Sequence, residues 1–159
     1  MREALAEAEA ARDIEEVPAG AVLAAKDGRI IGRGHNRVIT FNDPTAHAEM
    51  SALRAAAEAA GNYRLTGSVL YSTLEPCPMC LMAAIHARVA RVVFGAAEPK
   101  WGAAGSLMDL PSVSGLNHNI IVTGGLLAEE CARLISSFFK EKREKVKAAK
   151  NRDKTGLSE

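Results

Sequence analysis

His47 and Glu49 stand two residues apart, and further along the chain Cys77 and Cys80 enclose Pro78 and Met79. No other feature constrains the fold as tightly, because one imidazole and two thiolates hold a metal only if two distant segments meet. The spacing of Cys77 and Cys80 puts both on one side of a helix's opening turn when Pro78 is the first helical residue. The partial positive charge of a helix N-terminus lowers thiol pKa values there, and the thiolate is the form that binds zinc. His47, opening another helix, makes three protein ligands and leaves a fourth position for water, the pattern of a catalytic rather than a structural zinc.

Glu49 is the residue that tests this reading. On an ideal helix a spacing of two turns side chains about 200° apart. His47 and Glu49 therefore serve one centre only if the metal lies off the helix end, with Asp43-Pro44 opening the helix so that first-turn side chains converge. Glu49 then takes a proton from water at the metal and returns it to a leaving group. A lone CxxC is also the pattern of a redox pair, but a redox pair has no use for His47. A structural site calls for a fourth ligand, for which Cys131, His35, His86 and His118 are the nominal candidates. A proline before the first cysteine, with each half of the motif opening a helix after a strand, favours bound zinc.

The pattern around the motif is that of alternating strands and helices. Residues 2–14 read as a helix with a weak apolar stripe of Leu5, Ala8, Ala11 and Ile14. Residues 21–26 and 29–36 read as a hairpin closed by a two-residue Asp27-Gly28 turn. A helix is expected from Asp43-Pro44 to about Ala60, stopped by Gly61-Asn62. Strands follow at 68–74, 91–95 and 119–123, with helices at 78–87 and 128–149. Five strands of this kind predict an α/β layer architecture, the hairpin antiparallel and the strands separated by helices parallel. The loop between Gly95 and Asn119 carries Trp101, the one tryptophan of the chain, and loops of that length in a compact domain are usually functional or mobile.

Composition narrows the class without naming a partner. With 159 residues, 48% hydrophobic, 25% charged and a net charge of +1, the chain has the profile of one globular domain, neither disordered nor membrane-spanning. Charge is unevenly placed: residues 1–16 hold six acids against two bases, and residues 140–154 hold eight bases against three acids. The basic stretch suits a polyanion. Three cysteines without an apolar leader point to a reducing compartment, the cytoplasm, and Cys131 reads as a small buried apolar residue.

His47-Ala48-Glu49 together with Pro76-Cys77-Pro78-Met79-Cys80 resembles the signature of zinc-dependent nucleoside deaminases of the cytidine/deoxycytidylate deaminase superfamily. Within it the chain is most similar to the bacterial tRNA-specific adenosine deaminases, through segments 16–22, 43–49, 63–65, 73–77 and 102–107 and the pair Phe138-Phe139. The resemblance implies a three-layer α/β/α cytidine-deaminase-like fold with a five-stranded mixed sheet. It implies one Zn2+ per subunit, a homodimer, and hydrolytic deamination of adenosine to inosine at the wobble position (34) of a tRNA anticodon, with an arginine tRNA bearing ACG as substrate. Zinc would lower the pKa of water from about 15.7 towards about 7, the resulting hydroxide attacking C6 with Glu49 as proton shuttle. By the same resemblance Asn36 contacts the base edge, the backbone of Ala48 contacts the purine, and Lys100 touches a phosphate or the loop. Phe138 and Phe139 supply stacking beside the basic helix.

Read alone, Asn36 is a strand-end residue, Lys100 a solvated charge and Phe138-Phe139 partly core. The same metal centre also serves deamination of a free guanine- or cytosine-type base or nucleoside. Trp101 departs from the family pattern, standing where a small or hydroxyl residue is expected, and the N-terminal helix is short. Residues 1–150 are expected to form the catalytic domain, with 151–159 a polar, disordered tail.

Overall fold

The computed structural model describes residues 1–155. Five strands form one mixed sheet in the order β2-β1-β3-β4-β5: β1 (Gly20–Ala24), β2 (Ile30–His35), β3 (Val69–Leu74), β4 (Arg91–Ala96) and β5 (Ile121–Thr123). β1 runs antiparallel to both β2 and β3, and β3, β4 and β5 run parallel. The helices are α1 (Arg2–Asp13), α2 (Val38–Phe41), α3 (Ala48–Ala60), α4 (Pro78–His86) and α5 (Ala128–Thr155). α3 and α4 cover one face of the sheet, and α1 and α5 the other. The alternation of patterns predicts the α/β layering, and the three-layer α/β/α arrangement is the one the resemblance implies.

Side-chain alternation along β2 fixes which helix lies on which face. His35 reaches α1, its Nδ1 2.9 Å from Glu7 Oε2, while Gly34 faces α3. A Cβ on Gly34 would stand 2.5 Å from both Ala48 O and Ala52 N, so the backbones of β2 and α3 touch with nothing between them. The same approach explains why α3 turns Ala48, Ala52 and Ala56 inward, all fully buried. The start of α3 is thereby fixed against the sheet, and with it the position of His47.

Four expectations need correction. α3 begins at Ala48 with His47 as its N-cap, not at Asp43-Pro44, because the Asp43 carboxylate caps a local turn by accepting Thr45 N–H and Oγ1–H at 2.7 Å each. The hairpin loop holds residues 26–28 rather than two: Ala25 N–H donates to Arg29 O. Asp27 does not take the positive φ that a two-residue turn demands, since its carboxylate is engaged by Arg29 N–H and Nε–H. The buried stripe of α1 is Ala4, Ala8 and Ala11, Ile14 being 44% exposed. α5 runs on to Thr155, into the stretch expected to be a disordered tail, since neither proline nor glycine interrupts it before Gly156; residues 156–159 lie outside the described residues. No helix among the described residues is long and apolar enough to cross a membrane.

Candidate metal centre and substrate cavity

β3 ends at Leu74, and the chain passes through Glu75 and Pro76 to Cys77, the N-cap of α4, with Pro78 at the first helical positions. Cys80 follows one turn in and is fully buried. α3 aims its own N-terminus at the same point, carrying His47 at the cap and Glu49 in the first turn. Both halves of the sequence motif thus meet at two helix N-termini, as the spacing predicts.

Cys77 Sγ lies 3.6 Å from His47 Nδ1 and 3.6 Å from Cys80 Sγ, and Cys80 Sγ lies 3.5 Å from His47 Nδ1. A tetrahedral zinc with Zn–S of about 2.3 Å and Zn–N of about 2.05 Å separates two sulfurs by about 3.8 Å and sulfur from nitrogen by about 3.6 Å. The donor triangle therefore fits zinc within a few tenths of an ångström. Among the described residues, these three side chains form the group of mutually close donors suited to a metal, and Glu49 is not part of it.

The electrostatics of the triangle suit a cation. The hydrogen bond between the two sulfurs, aided by His47, stabilises a Cys77 thiolate and brings that thiol down to about 4. The same bond, with burial, pushes the Cys80 thiol up. The sulfur of Cys77 also holds the His47 imidazole above its ordinary value, against burial. His47, Cys77 and Cys80 would hold a zinc ion in place of the protons they share, since metal ligands bind deprotonated.

Glu49 lies beside the centre, only 6% exposed, and accepts Ser72 Oγ–H at 3.1 Å. Burial raises its carboxyl above the ordinary range, which suits a group that must both take and give a proton near neutrality. A cavity of about 660 Å³ opens over His47, Ala48, Glu49 and Cys77, with Asn36 and Trp101 in its walls. The N–H groups of a helix's first turn have no intrahelical partner, so Ala48 brings backbone donors to the cavity floor.

The other expected contacts divide. Asn36 lines the cavity, and its Nδ2–H donates to Glu16 Oε2 at 3.2 Å, leaving Oδ1 as the acceptor. Lys100 is exposed on the loop, its backbone N–H donating to Glu98 Oε1 at 2.9 Å, and its side chain is not in the cavity wall. Phe138 is buried and packs edge-to-face on Phe139, centroids 5.5 Å apart, with the Lys142 ammonium over its ring. Phe139 is 40% exposed. Neither phenylalanine lines the cavity.

Two buried acids went unread in the sequence. Glu16 accepts Thr40 N–H at 2.7 Å and Thr40 Oγ1–H at 2.9 Å as well as the Asn36 amide, tying down one wall. Glu75 does the same for the loop that carries Glu98 and Trp101. It accepts Glu98 N–H, Ala104 N–H, Ser106 N–H and the Ser106 hydroxyl. Burial opposes ionisation of Glu75, but those four donors more than offset it and hold the carboxyl below its ordinary value. The one sequence signal for either was an acid set among residues that read as buried.

The fold and the centre together define a class. The chain belongs to the cytidine and deoxycytidylate deaminase family, whose zinc-binding region matches residues 1–96. The donor set is accordingly that of a zinc-dependent deaminase. Within the family the chain belongs with the tRNA-specific adenosine deaminases: it is 49% identical to that of Bacillus subtilis (strain 168) over 150 residues, 94% of this chain and 92% of the relative. A solved structure from studies of A-to-I editing by tRNA:A34 deaminases at the wobble position of transfer RNA matches with a TM-score of 0.81. It is 46% identical, covering 84% of this chain and 96% of that one. The guanine deaminase of Nitrosomonas europaea shares the fold at a TM-score of 0.71 and 26% identity, over 85% of this chain and 80% of that one.

Proposed function

We propose that this protein hydrolyses adenosine to inosine at position 34 of a tRNA anticodon, with arginine tRNA bearing ACG as substrate. What carries the reading is the His47-Cys77-Cys80 donor group with Glu49 buried at its side, in a chain 49% identical over 94% of its length to a tRNA-specific adenosine deaminase. When bound, zinc supplies the Lewis acid that brings the pKa of water from about 15.7 towards about 7. Glu49 accepts a proton from the attacking water and passes it on. The water's oxygen becomes O6 of inosine, one of its protons leaves with the amino group as ammonia, and the other stays on N1. Asn36 Oδ1 and the Ala48 backbone orient the base edge. Outside the cavity, Lys100, Phe139 and the basic face of α5 meet the RNA; Phe138, packed inward, supports Phe139.

Mass-spectrometric mapping of total tRNA incubated with zinc-loaded protein checks this directly. Inosine is expected at position 34 of the ACG arginine tRNA. Ammonia release from free guanine or cytosine compounds, with no inosine in any tRNA, would replace the reading with that of a free-base or nucleoside deaminase.

The catalytic domain spans residues 1–150, and we place the protein in the cytoplasm, where its free thiols and its substrate are compatible. It acts as a homodimer. α4 leaves Met79, Met82 and Ala83 half-buried on one face, and Tyr63 beside that layer is 63% exposed, an apolar surface suited to a second copy. Sedimentation at micromolar concentration is expected to give twice the chain mass; a monomer there removes the dimer.

A further inference from the structure

We propose that Trp101, held at the lip of the cavity by a loop anchored on Glu75, is the stacking platform for an unpaired nucleotide adjoining the one whose base enters the cavity. The inference deepens the RNA-deaminase reading and rests on it. Trp101 is 66% exposed and lies in the wall of the cavity that holds His47 and Glu49. An exposed aromatic elsewhere on a surface needs no explanation, but this one stands at the mouth of the reaction site with most of its surface open.

Its backbone is fixed on both sides. Before it, Glu98 N–H donates to Glu75 Oε2 at 3.0 Å. After it, Gly102 N–H closes a turn onto Glu98 O at 2.8 Å and Ala103 N–H donates to Pro76 O at 2.9 Å. Ala104 and Ser106 N–H reach Glu75 Oε1 at 2.9 and 3.0 Å. Glu75 is 2% exposed and is locked to the sheet by its own N–H, 2.8 Å from Ala96 O. A Cβ on residue 102 would come within 2.5 Å of Glu75 Oε2 and of Glu98 O, so only glycine lets the loop close this far. The ring is therefore presented by a loop that has little left to lose in ordering, and tryptophan itself has two side-chain torsions to freeze.

Withdrawing a base into a cavity leaves its neighbour without a stacking partner. An indole at the lip restores that contact, and it accepts any base because every base has a π-face. Trp101 thus sets how tightly the strand next to the target is held, while Glu75 acts on it only as a positioning residue.

The test uses zinc-loaded full-length protein and an anticodon stem-loop RNA bearing ACG. Trp101→Leu keeps an apolar side chain and loses the π-face. It is expected to raise KM by between about fivefold and about a hundredfold, the range that base–aromatic stacking spans, with kcat nearly unchanged. Trp101→Phe recovers most of the loss. As the single tryptophan, Trp101 reports on itself: its emission is quenched when the stem-loop binds, and the quench is lost when an abasic site replaces one of the two nucleotides flanking the target. Glu75→Gln lowers the fluorescence anisotropy of Trp101 in the free protein and raises KM in the same direction. Wild-type protein that forms inosine while Trp101→Leu keeps its KM, or a quench that survives both abasic replacements, overturns the stacking role alone. Wild-type protein that forms no inosine in RNA and deaminates free bases instead removes the proposed function, and the platform with it.

Discussion

Glu49→Gln is expected to lower kcat by about two to four orders of magnitude, the usual worth of a positioned general acid–base, with one zinc per chain retained. The reason lies in what Glu49 touches. It is outside the donor triangle of His47, Cys77 and Cys80, so its removal takes no ligand from the metal. Its Oε1 accepts the Ser72 hydroxyl at 3.1 Å in a site 6% exposed, and glutamine fills the same volume and keeps an acceptor there. The substitution therefore leaves packing and metal in place and deletes only the ability to carry a proton. Single-turnover inosine formation, metal content and RNA affinity separate the outcomes. Unchanged turnover would end the proton-shuttle role, whereas lost zinc would mean that the side chain supports the metal instead.

The metal centre was legible because its parts are local. Cys77 and Cys80 belong to one helical turn, His47 and Glu49 to another, and three ligand types at those spacings leave few chemistries open. The five strands and their directions followed from alternation and from the helices between them. What stayed hidden depends on partners far along the chain. Asp43-Pro44 reads as a helix start, and nothing nearby reveals that the Asp43 side chain is spent on Thr45, which moves the start to Ala48. That shift makes His47 the cap itself, so that it and Glu49 reach one point despite a spacing that sets them on different sides of a helix. Glu16 and Glu75 find their donors twenty or more residues away, and no periodicity announces a buried carboxyl whose work is to tie down a loop. The buried stripe of α1 departs from the apolar pattern for a related reason: a helix lying directly on a strand backbone buries alanines, while Leu5 and Ile14 supply the larger apolar side chains of the sequence.

Cys77→Ala is expected to abolish activity and to leave the purified protein with little zinc, while its far-UV circular dichroism matches wild type. Removing even a group that merely supports a ligand costs about 10- to 100-fold in metal affinity, and Cys77 is one of the three donors positioned for the metal. Its sulfur lies 3.6 Å from both His47 Nδ1 and Cys80 Sγ, so the two remaining donors lose their shared partner. The fold survives because the backbone at this position is doing separate work: the Cys77 carbonyl accepts Leu81 N–H at 3.0 Å, a bond that alanine keeps, and Cys77 is only partly buried. The lost stability is then the linkage of metal binding to folding, about 2.7 kcal/mol at a free zinc concentration one hundred times the wild-type Kd. Chelated wild-type protein should accordingly melt where Cys77→Ala melts, and added zinc should raise the melting temperature of the first and leave the second where it is. Equal responses of the two proteins to zinc would show that the stabilising metal sits somewhere other than between the N-termini of α3 and α4.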